Sequence, residues 1–501
     1  MFKNFTGYKI LEKIQKKKSH KRERKLPLNA IKLLFIVALS LVVALVPAES
    51  FGIEGLTDIH QRIIALFVFA ALMWLTETMP SWVTSMIVVT VMLFTVSTSA
   101  FSFLRPEDGV GLVPFKSIFA CFSNPTIMLF IGGFVLAIGL TKVKLDVALA
   151  RVLLKPFGTR SEIVLLGFIL VTAIFSAFVS NTATAAMMLA FLTPVLRSLP
   201  ADGKGRIALA LAIPVGANLG GMITPIGTPP NMIALDYLAS QGMGISFVDW
   251  TIKMAPFVIV LLVLAWILLR ILFPFKQKNI KIEIEGTIRW DYKTWSVVVA
   301  FVLTIFMWMF GTDMWGIDTN VVAMIPIAIF CATGILTRRD LEEINWSVLW
   351  MVAGGFALGV ALNYKGEGSA SLSSLIVQSV PFDNFSPIAV MILAGLICFG
   401  FSNFISHSAA TSLLVPVLGV VASGLGTALD SVGGPQAMLV GIAIASSVSM
   451  ILPISTPPNA IAHATGMIEQ KDMVKTGVIM GVIGLVLGYS MLMILGMNGL
   501  I

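Results

Sequence analysis

Apolar runs about 20 residues long, separated by short polar breaks, recur along the whole chain, and an α-helix needs about that many residues to cross a bilayer core. Full-length runs fall at 33–49, 59–78, 82–100, 118–140, 251–275, 294–311, 317–336, 345–364 and 473–498. Two more, 206–240 and 436–468, are interrupted by Thr-Pro-Pro-Asn strings that begin at Thr228 and Thr456. The pattern predicts eleven crossings. Two further stretches, 161–199 and 386–424, are each close to 39 residues long. Each carries a polar cluster at its middle: Ser180-Asn181-Thr182 in one, Ser406-His407-Ser408 in the other. Such a stretch reads either as two crossings around a headgroup turn or as a re-entrant hairpin with its tip at membrane depth.

Composition agrees with a membrane solvent. Hydrophobic residues make up 57% and charged residues 12%, whereas soluble domains carry about 25% charged residues. That balance excludes a soluble enzyme, a nucleic-acid reader and a disordered scaffold. The net charge of +8 is not a binding patch, because eleven of the 34 Lys and Arg lie in the first 32 positions. This basic stretch predicts a cytoplasmic amino terminus followed by an uncleaved first helix, hence a multi-pass plasma-membrane protein. With hairpins and eleven crossings the carboxyl terminus falls outside. Five cations, Arg62, Arg105, Lys116, Lys253 and Lys365, then lie outside and the other 29 inside. Cys121, Cys331 and Cys398 read as buried small hydrophobes, with no disulfide framework or metal motif.

Three segments repeat in order. Gly132-Gly133-Phe134 recurs as Gly354-Gly355-Phe356, the hairpin core from Phe175 recurs from Phe401, and the string from Thr224 recurs from Leu452. The offsets are 222, 226 and 228 residues. Five crossings separate corresponding points, so the second copy is inverted. Inverted repeats with interrupted helices at matching places are the signature of a secondary transporter whose site lies at the repeat interface.

Lipid cannot satisfy free backbone groups, so interrupted helices survive only inside protein or beside a polar cavity. Two tips and two Thr-Pro-Pro breaks supply four interruptions. Thr228 and Thr456 sit where they would cap the new half-helices, and proline suits a first helical turn. Half-helix starts offer free N–H groups and positive dipole ends to an anion, while half-helix ends and loop carbonyls suit a small cation. At one tip, Ser, Thr and Asn are explained by capping alone; a matched set of four is not. His463 reads as facing the inner vestibule and Glu77 as a structural anchor. No Gly-x-Ser-x-Gly or His-Glu-x-x-His motif suggests an enzyme.

With these strings the chain resembles the divalent anion/sodium symporter family, the INDY-type dicarboxylate and citrate transporters, over nearly everything after residue 32. The resemblance implies an all-α polytopic protein with eleven transmembrane helices, two re-entrant hairpins and an inverted repeat. It also implies a homodimer with scaffold and transport domains and elevator-type movement. The expected parts are a basic cytosolic tail (1–32), scaffold helices of the first half (33–156) and the first transport half (157–275, tip 180–182, broken helix 224–231). A loop and scaffold helices of the second half follow (276–365), then the second transport half (366–501, tip 406–408, broken helix 452–459). Small dicarboxylates and the bilayer are the implied partners, with no nucleic acid, and Na⁺ in place of any organic cofactor.

Carried over by motif, Asn181 and Thr182 contact one substrate carboxylate with Thr228 and Pro229 nearby, and Ser408 contacts the second, with His407, Thr456 and Pro457 beside it. Ser176, Ser180, Asn181 and Gly227 match a first Na⁺ site. The second Na⁺ site would use Ser402, Ile405, His407 and Ser455. There His407 stands where the family has Asn, and a protonated imidazole has no acceptor and repels Na⁺. This departure favours the exchanger branch. Sodium-driven uptake stays open beside it, as does an inorganic anion or ion exchanger of related architecture. The latter would be expected to carry Asp or Glu in the broken-helix region, and the tips and breaks hold none.

Overall fold

The computed structural model describes residues 26–106, 111–197, 199, 203–280, 289–366 and 370–500; the basic run of residues 1–25 lies outside them. The first half runs through α1 (Leu26–Leu45), α2 (Asp58–Thr76), α3 (Ser81–Thr95), α4 (Pro125–Lys142), α5 (Leu145–Leu154), α6 (Ser161–Phe178), α7 (Asn181–Arg197), α8 (Lys204–Gly220), α9 (Pro229–Ser240) and α10 (Phe247–Leu272). The second half runs through α11 (Tyr292–Trp315), α12 (Met324–Ala332), α13 (Trp346–Asn363), α14 (Leu372–Ser379), α15 (Pro387–Phe404), α16 (His407–Leu425), α17 (Gly434–Ser447), α18 (Pro457–Ala464) and α19 (Gln470–Met497). Short helical turns fill some of the connections. Among the described residues there is no strand, only isolated bridges at Ser97–Val113 and Arg160–Asn279. Nine helices in that set are long and apolar enough to cross a membrane. The chain is an all-helical, polytopic membrane protein.

Local sequence explains where the helices begin. Asn124 accepts a hydrogen bond from the Thr126 N–H (2.8 Å) and Pro125 occupies the first turn of α4. Asp291 and Ser246 cap α11 and α10 in the same manner, satisfying N–H groups that helix ends leave free.

Three expectations need correction. The first helix starts at Leu26, so the last part of the expected tail is helical; Pro27 has the fixed φ that a first turn accepts. The run at 317–336 is not one helix but Thr319–Val322 followed by Met324–Ala332. Pro326 cannot donate to the Val322 carbonyl, which breaks the ladder there. Cys331 is exposed, not buried. It lies on the outward side of an apolar helix, where a membrane protein meets lipid.

Close helix contacts are made through small residues, the usual solution where lipid removes the hydrophobic drive between helices. On α8, Gly216 and Gly220 lie one turn apart against α6. A Cβ on Gly216 would sit 2.8 Å from the Ile169 carbonyl oxygen, and one on Gly220 would sit 2.7 Å from the Ala173 carbonyl carbon. The repeat-matched pair Gly132 and Gly354 does the same work twice, Gly132 against Ala323 and Gly354 against Ser85. Helices α2, α3 and α13 pack together, as do α4, α11 and α12. A second group contains α6 to α9 and α15 to α18. Within it the halves cross over: α9 packs on α16 and α17, and α18 packs on α7 and α8.

Replacing Gly220 with Val should therefore cost about 3 kcal/mol or more, the upper end for overpacking against backbone that has no room to move. Gly133→Ala places its methyl in open space and should leave stability unchanged or slightly raised. Thermal unfolding of the detergent-purified variants checks this; equal unfolding temperatures would contradict the contact.

Candidate functional site

Each long polar-centred stretch is a helix, a two-residue break and a second helix. In the first, α6 ends at Phe178, Val179 is extended and α7 starts at Asn181. Ser180 caps α7 by accepting from the Ala183 N–H at 3.3 Å. In the second, α15 ends at Phe404, Ile405 is extended and buried, and α16 starts at His407. Ser406 caps it by accepting from the Ala409 N–H at 3.2 Å. Both tips thus present first-turn N–H groups, beside hydroxyls on Thr182 and Ser408. Neither hydroxyl has a hydrogen-bond partner among the described residues, and both side chains are half-buried.

Part of the predicted set lies beside each of these tips. The Ser176 hydroxyl lies 2.6 Å from Asn181 Oδ1 and 2.7 Å from the Ala217 carbonyl oxygen. A serine has one proton to donate, so three oxygens meet where that proton serves one of the other two. Asn181 also lies against Gly221, where a Cβ would meet its amide nitrogen at 2.9 Å. Gly227 packs its own Cα side on Gly221, which brings Ser176, Asn181 and Gly227 together. Ser180 sits at the cap, on the cavity described below.

The second cluster is arranged differently. Ser402 donates to Ser446 Oγ (3.2 Å), which donates to the His407 carbonyl (3.0 Å). The buried His407 ring places Nε2 2.5 Å from the Ser449 carbonyl oxygen. A carbonyl only accepts, so Nε2 carries a proton there. Ser449 matches Gly221 by the repeat offset, so His407 and Asn181 occupy corresponding places. Ser455 donates to the Leu452 carbonyl (2.7 Å).

At the breaks, the expected caps differ. Thr456 accepts from the Asn459 N–H at 3.2 Å. Thr228 occupies the cap position of α9, but its side chain makes no capping bond; that N–H, of Asn231, reaches the Thr228 carbonyl instead. Pro229 and Pro457 fill the first turns of α9 and α18.

Three buried asparagines that motif reasoning missed hold this region together. Asn231 Nδ2 donates to the Gly221 and Thr224 carbonyls at 3.1 and 2.9 Å. Asn459 Nδ2 repeats this on Met450 and Leu452 at 2.9 and 3.1 Å. Asn218 Nδ2 then donates to Asn459 Oδ1 at 3.0 Å, joining the two halves. The signal was present: both Thr-Pro-Pro strings end in Asn, and Asn218 is the lone amide in an apolar run.

A cavity of about 210 Å³ reaches the first tip. Ser180 and Ala183 line it with Ile138, Thr141 and Lys142 of α4, and Glu343. Lys142 Nζ donates to Asp340 Oδ2 at 2.5 Å and to the Ile335 carbonyl at 2.6 Å. Burial opposes ionisation of Asp340, yet its bonds from Lys142 and Thr337 prevail and hold it below the usual carboxylate range. Glu343 is pushed up by burial and then by the Asp340 charge.

With two helix–break–helix stretches, paired breaks and the cavity described, residues 71–432 match the family described as citrate transporter. The chain belongs to the citrate transporter family. It is a membrane transporter of that family, not an enzyme. An uncharacterised transporter of Haemophilus influenzae is 30% identical over 437 residues, 84% of this chain and 88% of its own length. The sodium-dependent dicarboxylate transporter SdcS of Staphylococcus saprophyticus is 27% identical over 460 residues, 85% of this chain and 84% of that one. In fold, this citrate-transporter-family member is similar to the crystal structure of the Alcanivorax borkumensis YdaH transporter (TM-score 0.54, 12% identity, 87% of this chain and 98% of that one).

The asparagine bridge makes a ranked prediction. Asn459→Ala removes donors to two loop carbonyls and the acceptor for Asn218, and each buried partner lost costs about 1–3 kcal/mol. Its unfolding temperature should fall further than that of Asn218→Ala. Asn459→Asp should not rescue, because a carboxylate cannot donate to Met450 and Leu452. Thermal unfolding of the three purified variants tests the order.

Proposed function

We propose that this transporter carries di- and tricarboxylates of the C4-dicarboxylate, 2-oxoglutarate or citrate class, and that it runs as an exchanger. The observation that carries the reading is the pair of unpartnered hydroxyls, Thr182 and Ser408, each in the first turn of a half-helix. Two such tips offer one carboxylate each a hydroxyl, free N–H groups and a positive dipole end. Asn181 and His407 stand beside those hydroxyls, with Thr228-Pro229 and Thr456-Pro457 at the broken helices. A site without Lys or Arg in these motifs holds its anion loosely enough to release it.

In this reading the chain has eleven crossings and two re-entrant hairpins in an inverted repeat. The amino terminus is cytoplasmic, the carboxyl terminus outside, and two copies pair through scaffold helices drawn from 33–156 and 276–365. The transport parts, 157–275 and 366–501, move as one body in an elevator cycle. Exchange follows from the second tip. His407 stands where the second cation site would need an amide oxygen, and its ring N–H is turned to the Ser449 carbonyl, so the imidazole takes that place and stays when the substrate leaves. The empty body would then cross with unneutralised helix starts, which is costly in lipid. A second anion on the return trip removes that cost.

The alternative, Na⁺-coupled uptake, has its own support. Ser176, Asn181 and the Ala217 carbonyl bring three oxygens together, with Ser180 and Gly227 adjacent, and relatives named for sodium dependence share the chain's length. Efflux of labelled succinate from loaded proteoliposomes separates the two. Exchange expects efflux only with external dicarboxylate; brisk efflux without it, in Na⁺ or K⁺ buffer, would remove exchange.

Thr182→Val and Ser408→Ala should each weaken substrate affinity about tenfold, the cost of one lost polar partner in a desolvated anion site, with the protein still inserted. Unchanged affinity in both would take the tips out of the site. His407→Asn should gain Na⁺-stimulated net uptake.

A further inference from the structure

The tips and breaks hold no acid, but α9 does, two turns beyond its break. Asp236 Oδ1 accepts from the Thr126 hydroxyl at 2.7 Å, and Oδ2 from Asn124 Nδ2 at 3.3 Å. Both donors belong to the start of the 18-residue helix α4, whose positive dipole end favours a carboxylate. Asn124 is itself held by the Thr126 N–H. Among the described residues Asp236 has no cationic partner; the thiol of Cys121 is the other titratable group close to it from the α4 side. The next residue, Tyr237, packs its ring on Gly419 of α16, where a Cβ would have no space. Its hydroxyl faces Asn363 at the end of α13. The far end of α9 is thus fastened to α4 and also reaches α13, which itself packs on α16.

The two ends of α4 differ. At the Asn124 end Asp236 joins α4 to α9. At the Lys142 end the cavity separates α4 from the tip at Ser180. The repeat-matched partner of Asp236 is Ala464, so the other broken helix has no acid to make the same contact.

We propose that Asp236 is a latch that holds the moving body against α4 with the Lys142 end open, so that the carrier rests with one face preferred. This rests on the reading of two bodies in relative motion. To move, α9 must take its half-buried carboxylate away from both donors, and a charged acceptor that loses its hydrogen bonds is left less stable. The latch therefore sets the resting bias and slows departure from it, without touching substrate.

The test uses full-length protein in proteoliposomes, with Cys121, Cys331 and Cys398 replaced by Ala and a reporter cysteine at Ile138 on the cavity wall. A membrane-impermeant maleimide is applied from each side in turn, with and without succinate. Asp236→Ala should slow reporter labelling about fivefold, the effect of losing the bonds that favour one of two states. Thr126→Val should act in the same direction, and Asp236→Asn, which keeps an acceptor, should fall between. Succinate binding should persist in all three. If succinate alters the parent rate but Asp236→Ala and Thr126→Val match the parent, the latch is wrong and the moving body stands. If neither succinate nor any variant alters the rate, both fail. Loss of succinate binding in Asp236→Ala with Thr126→Val unchanged would place Asp236 in the substrate site and overturn the latch. Should Asp236→Ala fail to fold, Thr126→Val decides.

Discussion

Backbone polar groups freed at a helix break have no water to turn to at membrane depth, and the arrangement of this protein follows from where those groups find partners. Capping serines take some of them at the tips. At the breaks the load falls on amide side chains, which can donate to carbonyls and accept from N–H groups at once. Asn231 and Asn459 each gather two carbonyls of the preceding loop, and Asn218 ties one cluster to the other. The loops are then shaped from within, and the hydroxyls of Thr182 and Ser408 have no partner among the described residues.

The two halves share a plan but not a chemistry. Ser176 and Asn181 bring oxygen atoms together at one tip. At the matching place His407 turns an N–H to a carbonyl. One substitution converts a place that collects acceptors into one already supplied with a donor, while the flanking serine caps are unchanged. The asymmetry extends to the end of each broken helix, with Asp236 on one and Ala464 on the other. Single side chains thus distinguish two stretches whose sequence strings otherwise recur.

Much of this was legible in sequence because it depends on spacing. Apolar run length marked most helices, and the polar clusters at the centre of over-long runs fell at the two helix breaks. Repeated strings located both breaks. What spacing does not encode is which atom a side chain reaches. Thr228 and Thr456 look alike in sequence, yet only Thr456 caps with its hydroxyl. No motif or spacing singles out Asp236, because its donors lie 110 and 112 residues away. Burial was misjudged at Cys331 because apolar surroundings mean lipid as readily as protein interior.

The crossing of the halves has a consequence for how the chain is made. Helix α9 finds its neighbours α16 and α17 only after nearly 200 further residues have been synthesised, and α7 waits longer still for α18. The first half therefore enters the membrane with polar side chains, Asn218 among them, whose final partners do not yet exist. During that interval they must be screened by water, lipid headgroups or the insertion machinery. The bridge from Asn218 to Asn459 can close only once the chain has been made through residue 459, 241 residues beyond its donor.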